Sequence, residues 1–389
     1  MKFVLAAYGS RGDVEPCAAV GRELLRRGHE VHAAVPPDRL GLAEAAGLPA
    51  VVYGADTREQ LNAAANFVQR VENPMGALHQ VMEQLNRTWA TKTATLTTLA
   101  DGADLLLAGM NEQELAANVA EYHGIPLAAL HFFPPQIITS GFLYSSMMLD
   151  AANAQRRGLG LAEVTEAPAA SLEIQGYEEL CLPGLASSWG DAAARRPFVG
   201  ALTLELPTEC DEEVSSWIAA GTPPICFGFG STPIGSPLDT LAMIGAACAQ
   251  LGERALVGSG ASDFSGAPHV EHVKVVPSLN HAAVLPACRA VVHHGGAGAT
   301  AAGMRAGIPS LVLWIWLDQP VWAATVERLE TGIGRQFSAA TQETLVADLH
   351  RILTPRYATR ARELAAQMTP GAESTAKAAD LLEELASRT

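Results

Sequence analysis

Residues 293–300, which read HHGGAGAT, have types and spacing that could bind a phosphate group. They follow the apolar run 290–292 and precede a helix-like segment that reaches Ala306. Glycine lets the backbone approach an anion, and the unpaired amides and positive dipole end of a first helical turn favour a diphosphate. The same spacing also fits an ordinary turn with two packed histidines. The candidate phosphate contacts are His293, His294, Gly295, Gly296, Ala297, Gly298, Ala299 and Thr300.

A second group of candidates lies near the first residue of the chain. Asp13 stands at the start of the first predicted helix, just after the apolar run 3–7, where a carboxylate is stable as a helix cap. Arg11 could stabilise Asp13 or a phosphate, or it could be solvated. Ser10 could contact a diphosphate or cap the turn. Residue type alone favours the capping role for Asp13 and leaves the roles of its two neighbours open.

Two further loops follow apolar runs in the second half of the chain. Residues 228–232 read GFGST, and this Gly-x-Gly pattern fits a phosphate contact or a plain turn equally well. Asp318 and Gln319 follow a predicted strand that ends near Leu313, and their side chains could accept and donate hydrogen bonds to sugar hydroxyls. An exposed helix start of the Asp-Gln-Pro type is the alternative.

The alternation of short apolar runs with helical patterns predicts two α/β domains. Continuous apolar strands of this kind belong to parallel sheets covered by helices on both faces. We predict two Rossmann-like, doubly wound domains that face each other across a cleft, with the ligand crevice outside the carboxyl ends of the strands. The predicted ranges are 1–200 for the N-terminal domain, 201–220 for a linker, 221–371 for the C-terminal domain, and 372–389 for a helix that packs back toward the N-terminal domain.

Composition excludes several classes of protein. Hydrophobic residues make up 49% of the 389 residues, yet no apolar run reaches the roughly 18 to 20 residues that span a bilayer. The six cysteines form no Cys-x-x-Cys pair, which disfavours a zinc site or a disulfide scaffold and is typical of a reducing cytosol. A net charge of -15 repels nucleic acid. We predict a cytoplasmic protein with no transmembrane segment and no nucleic-acid partner, and peripheral contact with a membrane stays open.

Three separated motifs resemble one known family. Residues 8–16 (YGSRGDVEP), the HHGGAGAT segment and the DQP of residues 318–320 occur in the same order in inverting glycosyltransferases of the GT-B fold. The similar enzymes decorate glycopeptide antibiotics, mycobacterial glycopeptidolipids and sterols. The resemblance covers nearly the whole chain and implies a GT-B fold.

The resemblance also implies roles for the candidate residues. Asp13 matches the general base that takes the proton of the acceptor hydroxyl, and His294 matches the histidine that binds phosphate when residues are counted back from 307–309. His293 would be a packed neighbour. The donor contacts that the family implies are Ser231 and Thr232 for the diphosphate, Asp318 and Gln319 for the donor sugar, and a loop around Val276 and Leu279 for the nucleobase.

The activity that the resemblance implies is an inverting transfer of a hexose or deoxyhexose from a nucleotide sugar to a hydroxyl of a lipid, glycopeptidolipid or natural product. The chain contains no Asp-x-Asp pair, so the glycine turn and His294 would replace a metal, and no cofactor beyond the nucleotide sugar is expected. Ala302 stands where plant relatives carry a ribose-binding glutamate, which favours a dTDP-sugar and leaves a UDP-sugar open.

The acceptor pocket is expected in the N-terminal domain, although core packing is the commoner role for its candidate residues. His131 is expected to be a core histidine with satisfied hydrogen bonds. The alternatives for the function are a UDP-glucose-dependent sterol or lipid glucosyltransferase and a non-catalytic nucleotide-sugar-binding protein. A nicotinamide-dependent dehydrogenase is disfavoured, because the glycine spacing near Gly9 lacks the full Gly-x-Gly-x-x-Gly pattern. The acceptor candidates are Phe132, Phe133, Phe142, Tyr144 and Met147.

Overall fold

The computed structural model describes residues 1–57, 74–134, 142–231, 234 and 236–388. The chain divides into two compact units. Unit 1 consists of Met1–Tyr177, Gly184–Leu204 and Gly371–Thr389, and unit 2 consists of Glu178–Pro183 and Glu205–Pro370. The boundary between Leu204 and Glu205 falls within the predicted linker 201–220.

Unit 1 is built on a parallel sheet of six strands. The order across the sheet is β3-β2-β1-β4-β5-β6, so β1 is hydrogen-bonded to both β2 and β4 and the strand order reverses there. In a doubly wound sheet, ligands bind outside the carboxyl ends of the strands at such a reversal. The strands are β1 (Lys2–Ala6), β2 (Glu30–Val35), β3 (Ala50–Val52), β4 (Leu105–Ala108), β5 (Leu127–His131) and β6 (Leu172–Gln175).

Helices cover this sheet because its central strands are apolar on both faces. Val4 and Leu106 are buried in one cluster with Leu115 and Val119 of a helix that follows β4. Such burial is the main favourable term in folding. Apart from the last helix of the chain, the helices of unit 1 are α1 (Arg11–Arg26), α2 (Leu40–Ala45), α3 (Pro74–Leu99), α4 (Gln113–His123), α5 (Phe142–Leu159) and α6 (Leu185–Ser188) within the described residues.

Unit 2 repeats the architecture with the strand order β12-β11-β10-β7-β8-β9, so the reversal lies between β10 and β7. Its strands are β7 (Ile225–Gly228), β8 (Ala255–Gly258), β9 (Val273–Val276), β10 (Ala290–His293), β11 (Ser310–Trp314) and β12 (Gly332–Gln336). Its helices are α7 (Asp211–Ala219), α8 (Pro237–Leu251), α9 (His281–Val284), α10 (Ala297–Arg305), α11 (Gln319–Arg328), α12 (Gln342–Ile352) and α13 (Pro355–Ala365).

The last helix, α14 (Gly371–Ala386), belongs to unit 1. The Arg27 guanidinium at the end of α1 donates through Nη1 to Asp380 Oδ1 at 2.6 Å and to Glu383 Oε2 at 2.7 Å. His29 Nε2 lies 2.6 Å from the other oxygen of Glu383. These partly buried ion pairs attach the C-terminal helix to α1.

Candidate functional site

Asp13 lies in the first turn of α1, directly after the carboxyl end of β1 at the strand reversal of unit 1. The backbone N–H of Ser10 donates to Asp13 Oδ2 at 2.6 Å, which is the reciprocal bond of a capping box. The carboxylate is half-buried. The capping role expected from residue type is therefore present, and the same contact fixes the orientation of the carboxylate.

A second donor to Asp13 is Asn111, which sequence analysis did not predict. Its Nδ2 donates to Asp13 Oδ1 at 3.1 Å and to the backbone oxygen of Tyr8 at 3.0 Å. Asn111 follows the carboxyl end of β4, the strand next to β1 at the reversal. A polar residue directly after a buried strand is the sequence signal that could have identified it.

The turn that carries Asn111 is anchored by its neighbour Glu112, a carboxylate only 2% exposed. Lys92 Nζ donates to one oxygen of Glu112 at 2.7 Å, and the Tyr53 hydroxyl donates to the other at 2.5 Å. Because a buried charge is tolerated only when it is paired, this network holds the β4–α4 turn in one position. Asn111 is thus presented to Asp13 from a rigid support.

Opposing effects act on the pKa of Asp13. Burial raises the pKa of the carboxyl, whereas the hydrogen bonds from Ser10 and Asn111 and the positive charge of Arg39 lower it, and the net direction is upward. A raised pKa makes the ionised carboxylate a stronger base. Arg11, whose role the sequence left open between stabilising Asp13 or a phosphate and being solvated, pairs with Glu15, with Nε and Oε2 2.6 Å apart.

Gly9 is required where the chain turns from β1 to α1. Its φ is +134°, and a Cβ there would stand 2.4 Å from Asp13 Oδ2. Only glycine fits this backbone conformation and this approach. The Gly9 turn therefore gives the Asp13 carboxylate its space.

In unit 2 the predicted phosphate turn joins β10 to α10 at the strand reversal. Gly295 has a φ of +92°, Gly296 is the N-cap, and α10 begins at Ala297. The amides of the first turn of any helix have no acceptor within it, so Ala297, Gly298 and Ala299 offer three donors beside the positive end of the dipole. A helix start of this kind can bind an anion, and the phosphate contacts themselves stay a prediction.

The His294 side chain borders this turn. A Cβ on Gly296 would stand 2.6 Å from His294 Nε2, and one on Gly230 would stand 2.9 Å from Cε1, so two glycines make room for the ring. Burial lowers the pKa of His294 to about 4, and the imidazole is therefore neutral near pH 7. A hydrogen bond between the ring and the backbone of Gly228 acts against this shift.

His293 and Thr300 are occupied within the protein. His293 is 1% exposed, and its Nδ1 accepts from the backbone N–H of Gly295 at 3.0 Å. Burial lowers the pKa of His293 to about 3. The Thr300 hydroxyl donates to the carbonyl of Gly296 at 2.9 Å. Both side chains shape the turn.

The other predicted donor contacts surround the same strand ends. Ser231 is exposed after β7, and Thr232 lies outside the described residues. Val276, at the end of β9, and Leu279 are buried in the core of unit 2, so these two residues could offer a base only their backbone groups.

Asp318 and Gln319 lie at the start of α11, beside the phosphate turn. A Cβ on Gly295 would stand 3.1 Å from Gln319 Cβ. Gln319 Oε1 accepts from the backbone N–H groups of Ile315 at 2.7 Å and Trp316 at 3.2 Å. Asp318 Oδ2 accepts from Trp322 Nε1 at 2.8 Å. Both side chains therefore brace the turn that places them next to the glycines.

The acceptor candidates are only partly described. Phe132 is half-buried and Phe133 is 5% exposed, and their ring centroids lie 5.3 Å apart, edge to face. Met147 is half-buried on α5. Phe142 and Tyr144 lie in the first turn of the same helix, and their side chains are outside the described part of the chain.

Metal-ligand clusters and membrane-spanning helices are both missing from the described residues. Within them, no set of three or more His, Cys, Asp or Glu side chains is arranged to hold a metal ion. No helix in the same ranges has the length and apolar character needed to cross a membrane.

Comparison with known proteins identifies the family of this chain. Residues 255–385 match the family of the erythromycin biosynthesis protein CIII-like C-terminal domain. An uncharacterised glycosyltransferase of Mycobacterium tuberculosis (strain ATCC 25618 / H37Rv) is 55% identical over 415 aligned positions, which cover 100% of both chains. The vancomycin aglycone glucosyltransferase of Amycolatopsis orientalis is 27% identical over 100% of this chain and 98% of its own.

A solved structure agrees with this assignment at the level of the fold. The glycosyltransferase VinC, crystallised in complex with dTDP, superposes with a TM-score of 0.70 at 20% identity and covers 100% of both chains. The chain therefore belongs to the glycosyltransferases and is an enzyme of the GT-B fold.

Proposed function

We propose that the enzyme is an inverting glycosyltransferase that uses Asp13 as its general base. The observation that carries the proposal is the carboxylate itself, which lies at the strand reversal of unit 1 with both of its oxygens hydrogen-bonded. Burial raises the pKa of Asp13, which suits a base. Arg11 forms its ion pair with Glu15 and not with Asp13.

In this mechanism the acceptor hydroxyl loses its proton to Asp13 as its oxygen attacks the anomeric carbon of the donor sugar. The bond from that carbon to the diphosphate oxygen breaks on the opposite side, so the configuration inverts. Charge grows on the diphosphate as it departs. The amides of Ala297, Gly298 and Ala299 and the His294 ring are the groups that would stabilise it.

The donor in this proposal is a dTDP-sugar that carries a hexose or deoxyhexose. Ala302, in α10, has no carboxylate to accept a hydrogen bond from a ribose hydroxyl, which suits a deoxyribose. The presence of dTDP in the VinC crystal structure supports the same choice. We propose that no metal takes part, because the glycine turn supplies fixed donors and the sequence lacks the Asp-x-Asp pair that holds a metal in other transferases.

The acceptor in this proposal is an apolar natural product or lipid, including a glycopeptidolipid, that presents a hydroxyl. The vancomycin aglycone glucosyltransferase, at 27% identity, supports an acceptor of the natural-product class. The partly buried aromatic pair Phe132 and Phe133 is consistent with an apolar site.

Donor binding tests the proposal without knowledge of the acceptor. Thermal unfolding is measured with dTDP, UDP and GDP, each with magnesium or with a chelator. A ligand at a hundredfold excess over its Kd adds about 2.7 kcal/mol to the free energy of unfolding. We expect dTDP to raise the melting temperature most, and equally with and without the chelator. Stabilisation that requires magnesium would contradict the metal-free proposal, and a preference for UDP would reverse the donor assignment.

A further inference from the structure

A cavity of about 270 Å³ lies along one face of the unit 1 sheet, apart from Asp13 and the phosphate turn. It runs from Leu127 at the start of β5 to His131 at its end. β5 is separated from β1 by β4, which corresponds to roughly 10 Å at the usual strand spacing. The volume equals that of about nine water molecules at roughly 30 Å³ each.

The wall of this cavity contains an unsatisfied buried histidine. His131 is 3% exposed, and neither of its ring nitrogens has a hydrogen-bond partner within the described ranges. The nearest carboxylate oxygen, Glu173 Oε2, is 3.8 Å from His131 Nε2, beyond hydrogen-bond distance. His131 is therefore a core residue, as expected, but no protein group among the described residues satisfies its ring. A buried polar group without a partner is rare in native proteins.

The charged groups around the cavity cancel one another. Glu173 accepts from Arg195 Nε at 3.0 Å and from Arg196 Nε at 2.8 Å. Glu114 adds one carboxyl, and burial raises its pKa. An anion would meet these carboxyl groups, a cation would meet two guanidinium groups, and an apolar ring would leave His131 unsatisfied. A neutral group with several hydroxyls can donate to the carboxylates and can both accept from and donate to a neutral imidazole.

We propose that this cavity is a binding site for one neutral, hydroxylated ring of the size of a single sugar, with His131 and Glu173 as its main hydrogen-bonding residues. The site is separate from the donor and base sites of the proposed reaction. Burial lowers the pKa of His131 to about 4, so the ring is neutral near pH 7 and offers one donor and one acceptor.

The test measures binding to the full-length protein by saturation-transfer NMR and by the ring ¹⁵N resonances of the histidines. The probes are methyl β-D-glucopyranoside and methyl α-D-mannopyranoside, with inorganic phosphate and toluene as the charged and apolar comparisons. We expect at least one pyranoside to bind and to shift the His131 resonances, and we expect no such shift with phosphate or toluene.

Variants assign the binding to the cavity. His131→Phe should weaken pyranoside binding about tenfold or more, because both hydrogen bonds to the imidazole are lost. His131→Gln keeps a donor and an acceptor and should retain part of the affinity, which also covers the case that the Phe variant does not fold. His269→Phe changes an exposed histidine of unit 2 and should bind as the wild type does. The absence of pyranoside binding, a His131 shift with phosphate or toluene alone, or unchanged affinity in both His131 variants would overturn the proposal.

Discussion

Replacing Asn111 by alanine tests whether this side chain positions and tunes the proposed base. Asn111 Nδ2 donates to Asp13 Oδ1 at 3.1 Å, and alanine removes that donor without adding bulk or charge. The bond from Ser10 to the other oxygen remains. Because the lost bond stabilises the ionised carboxylate, the pKa of Asp13 must rise in the variant.

The size of the effect follows from the type of bond. A hydrogen bond to a charged group contributes about 1.5 to 3 kcal/mol. Each pH unit corresponds to about 1.36 kcal/mol. The acid limb of the kcat/KM profile should therefore move to higher pH by about one to two pH units. The carboxylate also loses one of its orienting contacts, so the plateau should fall as well.

The assay is a pH profile of sugar transfer, run in parallel with dTDP titrations. Asn153→Ala is the matched control. Asn153 lies on α5 and makes two hydrogen bonds to the backbone of Val164, and it makes none to Asp13. We expect the control to be less stable but to keep the wild-type acid limb. An Asn111→Ala profile with the wild-type acid limb would refute the assigned positioning role.

Four further variants probe the glycines and histidines. Gly9→Ala should reduce kcat strongly, because the added Cβ would stand 2.4 Å from Asp13 Oδ2, while dTDP affinity stays within about twofold of wild type. Wild-type turnover in this variant would contradict the steric argument. Gly296→Ala should weaken dTDP binding in calorimetry, since its Cβ would stand 2.6 Å from His294 Nε2, and unchanged affinity would show that the ring position is irrelevant. His294→Ala should weaken dTDP binding about tenfold. His293→Ala should lower the melting temperature more and the dTDP affinity less, because His293 is 1% exposed and hydrogen-bonded to Gly295. The reverse pattern would exchange the roles of the two histidines.

The sheets could be predicted from sequence because parallel strands buried on both faces consist of continuous apolar runs. The runs 105–108 and 290–292 are continuously apolar, and both are central strands. The glycine turns were also predictable, since residues such as Gly295, with a φ of +92°, occupy conformations that other residues avoid.

The contacts between side chains could not be read from the same patterns. Asn111 reaches Asp13 across 98 positions of sequence, and no local spacing encodes that bond. Arg11 could be paired only once α1 placed Glu15 one turn away. His131 was expected to be satisfied because most buried histidines are, and only the three-dimensional arrangement reveals the cavity beside it.

The most direct test of the central claim is the turnover of Asp13→Asn, compared with its dTDP affinity in the same preparation. Asparagine keeps the size of the side chain but cannot take a proton, and a general base contributes about 10² to 10⁴ to the rate. We predict a loss of kcat in that range with dTDP affinity within about twofold of wild type. Transfer at the wild-type rate would show that Asp13 is not the base.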